Sequence, residues 1–96
     1  MKLYLIHTGY YDKNVGEGFY EQHTNILLVA KSVYEAREKV KKSKEFVDKK
    51  MHIDGIKEIE SINGYNIELK EAGCGEEKIN SYNHHQVRFL KSDKDS

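Results

Sequence analysis

Residues 32–69, SVYEAREKVKKSKEFVDKKMHIDGIKEIESINGYNIEL, decide the fold of this chain. Ser32 and Glu35 have the spacing of a capping box, in which the serine oxygen accepts a helix N–H and the glutamate reaches back. Asn63 and Gly64 lie between two runs rich in apolar residues, and this dipeptide is a strong hairpin signal. The segment therefore predicts a helix, a strand, a tight turn and another strand.

The helix is predicted from residue 33 to about residue 46. An apolar stripe with the 3.6-residue period runs along it. Its members are Val33, Ala36, Val40 and Val47. Because the stripe is narrow, we expect packing against a sheet to stabilise this helix more than its own propensity does.

The hairpin is predicted to join strand three, residues 51–61, to strand four, residues 65–71. A two-residue loop would place Glu60 opposite Ile67, whereas a three-residue loop places Ile59 there. We therefore predict the longer loop, a type I turn with Gly64 left-handed in a bulge. Ile53 and Ile59 then share one face and Ile56 does not, and Gly55 marks a second irregularity.

Two more strands precede the helix. Strand one covers residues 2–9, and strand two covers residues 21–31 after a glycine-containing loop. The centre of strand two, residues 26–30, is apolar on both faces. A single helix covers one face of a sheet, so the C-terminal tail or another subunit is expected on the other.

These elements predict one α+β domain over residues 1–90. Its sheet is mostly antiparallel, with four strands in the order β-β-α-β-β, residues 86–91 as a candidate fifth strand, and one helix on one face. The spatial order 2-1-3-4 makes every neighbour antiparallel, and the competing order 1-2-3-4 has a parallel central pair. Residues 91–96 are charged and are predicted to be a disordered tail.

Composition excludes several classes of protein. The 96 residues carry 16 basic and 16 acidic side chains, so a nucleic-acid partner bound through bulk positive charge is not expected. The N-terminal apolar run, residues 3–6, is too short for a signal peptide or a membrane span. The single cysteine, Cys74, lacks an internal disulfide partner and is interpreted as incidental. We expect a cytoplasmic protein with no membrane partner.

A candidate site comes from histidines and acids at two-residue spacing. Glu21 and His23 share a face of strand two, and His52 and Asp54 do so near the start of strand three. Together they would supply an acid/base pair or three to four metal ligands. The other interpretation is that these histidines are hydrogen-bonded at strand ends. No zinc spacing, phosphate loop or nucleophile motif is present, so neither a cofactor nor a catalytic residue is assigned.

Aromatic side chains crowd the loop between the first two strands. They are Tyr10, Tyr11, Phe19 and Tyr20. Tyrosine offers a large contact area with a polar tip, which suits a protein or small-molecule contact. The equally weighted alternative is that these rings pack locally and hold the loop in place.

Four short motifs, in this order and spacing, resemble a known family. They are residues 2–5 (KLYL), 21–23 (EQH), 52–54 (HID) and 63–65 (NGY). The chain is similar over about residues 1–71 to the bacterial domain-of-unknown-function family 1543. That resemblance implies a β-β-α-β-β unit, present in one or two copies and able to pair with another copy, with no established activity. The acidic and histidine positions of the family's motifs match Glu21, His23, His52 and Asp54.

Function is left between two classes. The first is a non-enzymatic binding or protein-interaction module that forms a homodimer or binds another protein, with a small-molecule ligand also allowed. The second is a small enzyme or metal-binding protein that uses Glu21, His23, His52 and Asp54. Convergence of these four side chains would favour the second class.

Overall fold

The central sheet has three antiparallel strands. The structure, a computed structural model, describes residues 1–73 and 75–93. β1 (Lys2–Tyr11) lies between β2 (Glu21–Ala30) and β3 (His52–Ile59). The α+β class and the antiparallel order 2-1-3 are confirmed, and the order with a parallel central pair is wrong. The predicted fourth strand does not join this sheet but belongs to a separate hairpin.

One face of the sheet carries the core. Alternation along β1 directs Tyr4, Ile6 and Thr8 to this face, and all three are fully buried. Helix α1 (Val33–Lys41) packs on them through Ala36 and Val40, which are also buried. Partly buried side chains surround this centre: Ile26, Leu28, Phe46, Ile53 and Ile56.

The start of α1 is capped as its sequence predicts. The Ser32 hydroxyl accepts a hydrogen bond from the Glu35 N–H at 3.1 Å. The Glu35 carboxylate reaches back one residue further than in a standard capping box, to the Lys31 N–H at 3.4 Å. It also pairs with Lys39 at 3.1 Å, and that bond is the main cause that lowers the pKa of Glu35.

The predicted single helix over residues 33–46 is wrong, because the helix breaks at Ser43. The Ser43 hydroxyl donates to the Val40 carbonyl at 2.7 Å and also accepts from the Phe46 N–H, which starts a second short helix, α2 (Lys44–Asp48). Serine side chains compete with the helix for backbone partners in this way. The break turns Phe46 toward the core, whereas Val47, a member of the predicted stripe, is 58% exposed.

A bulge interrupts β3 at the predicted glycine. His7 pairs with Gly55 and Thr8 pairs with Ile53, so Asp54 is an extra residue in β3. An extra residue reverses the alternation of side chains on either side of the bulge.

The bulge decides which isoleucines enter the core. Ile53 and Ile56 lie on opposite sides of it and both pack against the core. Ile59 pairs with Leu3 and lies on the other face. The prediction that Ile53 shares a face with Ile59 is therefore wrong, because it counted alternation through the bulge without a change of phase.

The hairpin is shorter and tighter than predicted. β4 (Ser61–Ile62) and β5 (Tyr65–Asn66) are joined by Asn63 and Gly64, whose φ angles are 51° and 83°. Two consecutive positive φ angles are typical of a two-residue type I′ turn. The predicted three-residue loop with a bulge is wrong, as is a fourth strand extending to residue 71.

The pairing of Glu60 with Ile67, rejected on sequence grounds, is the one that forms. The Ile67 N–H donates to the Glu60 carbonyl at 2.8 Å. Glu60 is exposed and Ile67 is only half-buried, so an acid opposite an apolar residue costs little at this position.

The C-terminal part forms a helix where a strand was predicted. α3 (His84–Arg88) begins with a reciprocal capping box between Asn83 and Gln86, so a fifth strand over residues 86–91 is wrong. Cys74 and residues 94–96 lie outside the described residues. Residues 94–96 are the second half of the predicted disordered tail. Among the residues that the structure describes, every helix is too short or too polar to span a bilayer.

Candidate functional site

The candidate site lies on the sheet face opposite α1, which we call the open face. Its polar half holds three histidines and two acids, here named the histidine cluster: His7, Glu21, His23, His52 and Asp54. Its other half is apolar and is formed by Leu3, Leu5, Leu27, Val29 and Ile59.

Strand register brings the two predicted pairs together. Gly9, in the central strand, pairs with His23 on one side and with His52 on the other. Residues that pair across antiparallel strands present their side chains on the same face. Residues 31 positions apart in the sequence, Glu21 and His52, thereby come into direct contact.

Gly9 leaves the space in which this contact forms. A Cβ atom at residue 9 would lie 2.3 Å from Glu21 Oε1 and 2.6 Å from His52 Nε2. Both distances are well below van der Waals contact. Because Gly9 has no side chain, the side chains of Glu21 in β2 and His52 in β3 can meet above β1.

All four sequence-predicted site residues meet. His52 Nε2 lies 2.7 Å from Glu21 Oε1 and 3.2 Å from Asp54 Oδ1. His23 Nδ1 lies 3.2 Å from Asp54 Oδ2, and His23 Nε2 lies 3.9 Å from Glu21 Oε2. The carboxyl side chains are 30–32% exposed and the two imidazoles are 45–48% exposed, so the site is open to solvent.

His7 and Asn25 belong to the site but were not predicted from the sequence. His7 Nδ1 lies 2.9 Å from Asn25 Oδ1, and the rings of His7 and His23 stack at 5.0 Å between centroids. The signal that could have found them was the two-residue spacing of His23 and Asn25, together with the alternation that separates His7 from the core residues of β1.

This arrangement has the donor atoms and spacings of a metal site. Two groups of three residues each offer ligand atoms within 4.8 Å of one another: Glu21, His52 and Asp54, and His7, His23 and Asp54. In a tetrahedral site with bonds of about 2.0–2.1 Å, neighbouring ligand atoms lie about 3.3–3.4 Å apart. The 3.2 Å contacts of Asp54 with both imidazoles are close to this spacing, whereas the 2.7 Å contact of Glu21 Oε1 with His52 Nε2 is a hydrogen bond and would lengthen around an ion. In the absence of an ion, the carboxylate oxygens accept hydrogen bonds from the imidazole N–H groups.

A groove runs from the cluster along the open face. Its polar lining comes from His7, Asn25, Asp54 and Lys57, and Leu5 contributes an apolar wall. A ligand in this groove would reach the second group of three residues from the solvent side.

The aromatic loop keeps both of its interpretations. Phe19 is 80% exposed and Tyr11 is 58% exposed, as expected for a contact surface. Tyr10 is half-buried beneath the Lys49 ammonium, 4.8 Å from its ring centroid, and the Tyr20 ring lies against Gly16. Local packing thus accounts for Tyr10, which with Tyr11 ends β1 and does not lie in the loop, whereas Tyr20 is 69% exposed, and an interaction role stays a prediction.

Comparison with protein-family models places the chain in a known family. A family model described as Domain of Unknown Function (DUF1543) matches residues 18–69, more than half of the chain. The matched region contains the four predicted site residues and excludes His7. No curated protein and no solved structure matches the chain.

Proposed function

This chain belongs to the DUF1543 family of domains of unknown function, and we propose that it is a small binding protein whose histidine cluster holds a divalent transition-metal ion. The observation that carries the proposal is the position of His52 Nε2, which lies 2.7 Å from Glu21 Oε1 and 3.2 Å from Asp54 Oδ1. Three donor atoms from two strands converge there above a glycine.

The donor set favours a particular class of ion. Imidazole nitrogen suits zinc, copper, iron and nickel, whereas calcium and magnesium prefer oxygen ligands alone. Glu21, His52 and Asp54 give one nitrogen and two oxygens. Three protein ligands leave a coordination position for water or a small ligand, as in catalytic zinc sites. An ion at this site would therefore remain reachable from solvent.

Removal of one ligand should weaken metal binding without unfolding the protein. We expect chelator-treated protein to bind Zn²⁺ saturably in isothermal titration calorimetry, and His52→Ala to lower the affinity at least about tenfold, since even outer partners of ligands are worth 10–100-fold. His84→Ala, which changes an exposed histidine in α3, should bind as the unaltered protein does. Absence of saturable binding of Zn²⁺, Co²⁺ and Ni²⁺ by the unaltered protein would rule out the proposed function.

Self-association through the open face is a second candidate function, and the exposure of the two apolar side chains that β2 contributes to this face supports it. Leu27 is 54% exposed and Val29 is 38% exposed in β2, an edge strand of ten residues. A long edge strand with exposed apolar side chains is prone to pairing unless it is covered. A second copy of the chain, joined about a two-fold axis, would bury both apolar halves at once.

A charge placed in the apolar half should separate the copies. We expect light scattering after size exclusion at micromolar concentration to give twice the 11.2 kDa chain mass, and Leu27→Asp to give the chain mass itself. Val33→Asp is the matched control, because Val33 is 51% exposed on the opposite side of the molecule, at the start of α1. A monomeric unaltered protein at these concentrations would contradict self-association and would leave the metal proposal intact.

A further inference from the structure

We propose that the histidine cluster holds two metal ions, bridged by the carboxylate of Asp54. This inference rests on the proposed metal-binding function and extends it. The two oxygens of Asp54 face different imidazoles: Oδ1 lies 3.2 Å from His52 Nε2, and Oδ2 lies 3.2 Å from His23 Nδ1. A carboxylate with one oxygen toward each of two ligand groups is placed to bridge two ions.

Each ion has three protein ligands. The first takes Glu21, His52 and Asp54, and the second takes Asp54, His23 and His7. Only Asp54 is shared, so each ion has two further ligands that belong to it alone. The bulge in β3 makes this possible, because it places the extra residue, Asp54, between the two groups.

The second ligand group has the supporting contacts that metal-bound histidines need. The other ring nitrogen of such a histidine usually donates to a carbonyl or carboxylate, which fixes the tautomer and the ring orientation. His7 Nδ1 donates to the Asn25 carbonyl oxygen at 2.9 Å, so its Nε2 carries the free lone pair. The His7 and His23 rings stack in parallel, 7° between planes, so one of them would turn about its side-chain bonds to aim its lone pair at the shared ion.

Glu21 joins the two groups in a second way. Its Oε1 faces His52 at 2.7 Å, and its Oε2 lies 3.9 Å from His23 Nε2. With His23 Nδ1 bound to the second ion, the N–H at Nε2 would lie 3.9 Å from a carboxylate that is itself a ligand of the first ion, and a small side-chain movement would bring the two within hydrogen-bond distance. The two ions are therefore expected to bind cooperatively, since each orders a ligand or a supporting group of the other.

The stoichiometry of metal binding tests the bridge. Chelator-treated full-length protein would be loaded with Zn²⁺, freed of excess ion and analysed for metal by mass spectrometry. We expect two ions per chain in the unaltered protein and in His84→Ala, one in His7→Ala, and fewer than one in Asp54→Asn. Circular dichroism would establish that each variant is folded.

Cobalt gives an independent readout of the shared ligand. Two Co²⁺ ions joined by a carboxylate couple magnetically, so the paramagnetic resonance signal per bound Co²⁺ should be lower in the unaltered protein than in His7→Ala, which is expected to hold a single ion. Equal signals per bound Co²⁺ in the two proteins would contradict the bridge.

The outcomes separate this inference from the proposed function. One ion per chain, unchanged in His7→Ala, would overturn the bridge and retain the metal-binding function. A second ion that disappears in His84→Ala would lie at α3 and would also overturn the bridge. No bound ion at all would overturn the proposed function itself.

Discussion

Gly9→Ala should lower the affinity for Zn²⁺ by at least about 100-fold and leave the fold intact. A Cβ at residue 9 would collide with Glu21 Oε1 and His52 Nε2, both ligands of the first ion. Both atoms are the ends of flexible side chains, so they move away rather than strain the backbone. Loss of one supporting partner of a ligand costs about 10–100-fold, so displacement of two ligands at once should cost at least the upper end of that range.

The stability of Gly9→Ala should change in the opposite direction from its affinity. Glycine inside a strand is destabilising by roughly 0.5–1 kcal/mol relative to alanine because its unfolded state is more flexible. We therefore expect unfolding by urea at an equal or slightly higher concentration, alongside weakened binding in calorimetry. Unchanged or higher stability together with lower Zn²⁺ affinity would show that Gly9 serves the metal site and not the stability of the fold.

Gly55→Ala is the matched control. Gly55 lies in the neighbouring strand, and apart from its two chain neighbours a Cβ there would have no described atom within 4 Å. Its variant should bind Zn²⁺ as the unaltered protein does. Unchanged affinity in Gly9→Ala, or an equal loss in Gly55→Ala, would contradict the role of residue 9 as the space in which the ligands meet.

The sequence predicts the two pairs of the site from local spacing, whereas their union into one site is only a hypothesis at that level. Glu21 with His23, and His52 with Asp54, follow from the two-residue period of a strand, which is a local property. Their convergence depends on β1 lying between β2 and β3 and on Gly9 pairing with both histidines. That register is set by the burial of Tyr4, Ile6 and Thr8, which neither pair reveals by itself.

His7 was missed for the same reason. It belongs to neither pair and reaches the cluster only across the β1–β2 pairing, where it meets Asn25. A strand's outward face can be read from its alternation, but the partner opposite each residue cannot be known before the register is fixed.

Two of the errors in the fold, at the hairpin and in the C-terminal segment, arise where tertiary constraint is weak. The turn at Asn63 and Gly64 adopts its intrinsic type I′ geometry, because the exposed hairpin gives no burial energy to a longer loop. Residues 86–91 alternate briefly like a strand, but a local capping box between Asn83 and Gln86 starts a helix at residue 84 instead. In both segments a local interaction determines the structure. Apolar alternation had favoured a longer loop at the hairpin and a strand in the C-terminal segment.

Ile6→Ala should destabilise the fold more than truncation of any exposed apolar side chain. Ile6 is fully buried at the centre of β1, between Ile26 and Ile56 and beneath α1. Truncation of a buried isoleucine leaves a cavity that the flanking strands cannot close and typically costs about 2–5 kcal/mol. A domain of this size has a total stability of roughly 5–14 kcal/mol, so a large fraction would be lost. Urea unfolding followed by circular dichroism would measure the change.

Leu27→Ala distinguishes burial within one chain from burial between two. Leu27 is 54% exposed, so in a monomer its truncation should change the free energy of unfolding by less than about 0.5 kcal/mol. In a dimer formed through the open face the same truncation should cost much more, and the cost should fall on dilution because dissociation precedes unfolding. Ile6→Ala should cost the same at every protein concentration. If Ile6→Ala were no more destabilising than Leu27→Ala in dilute protein, the assignment of the core to the helix-covered face would be wrong.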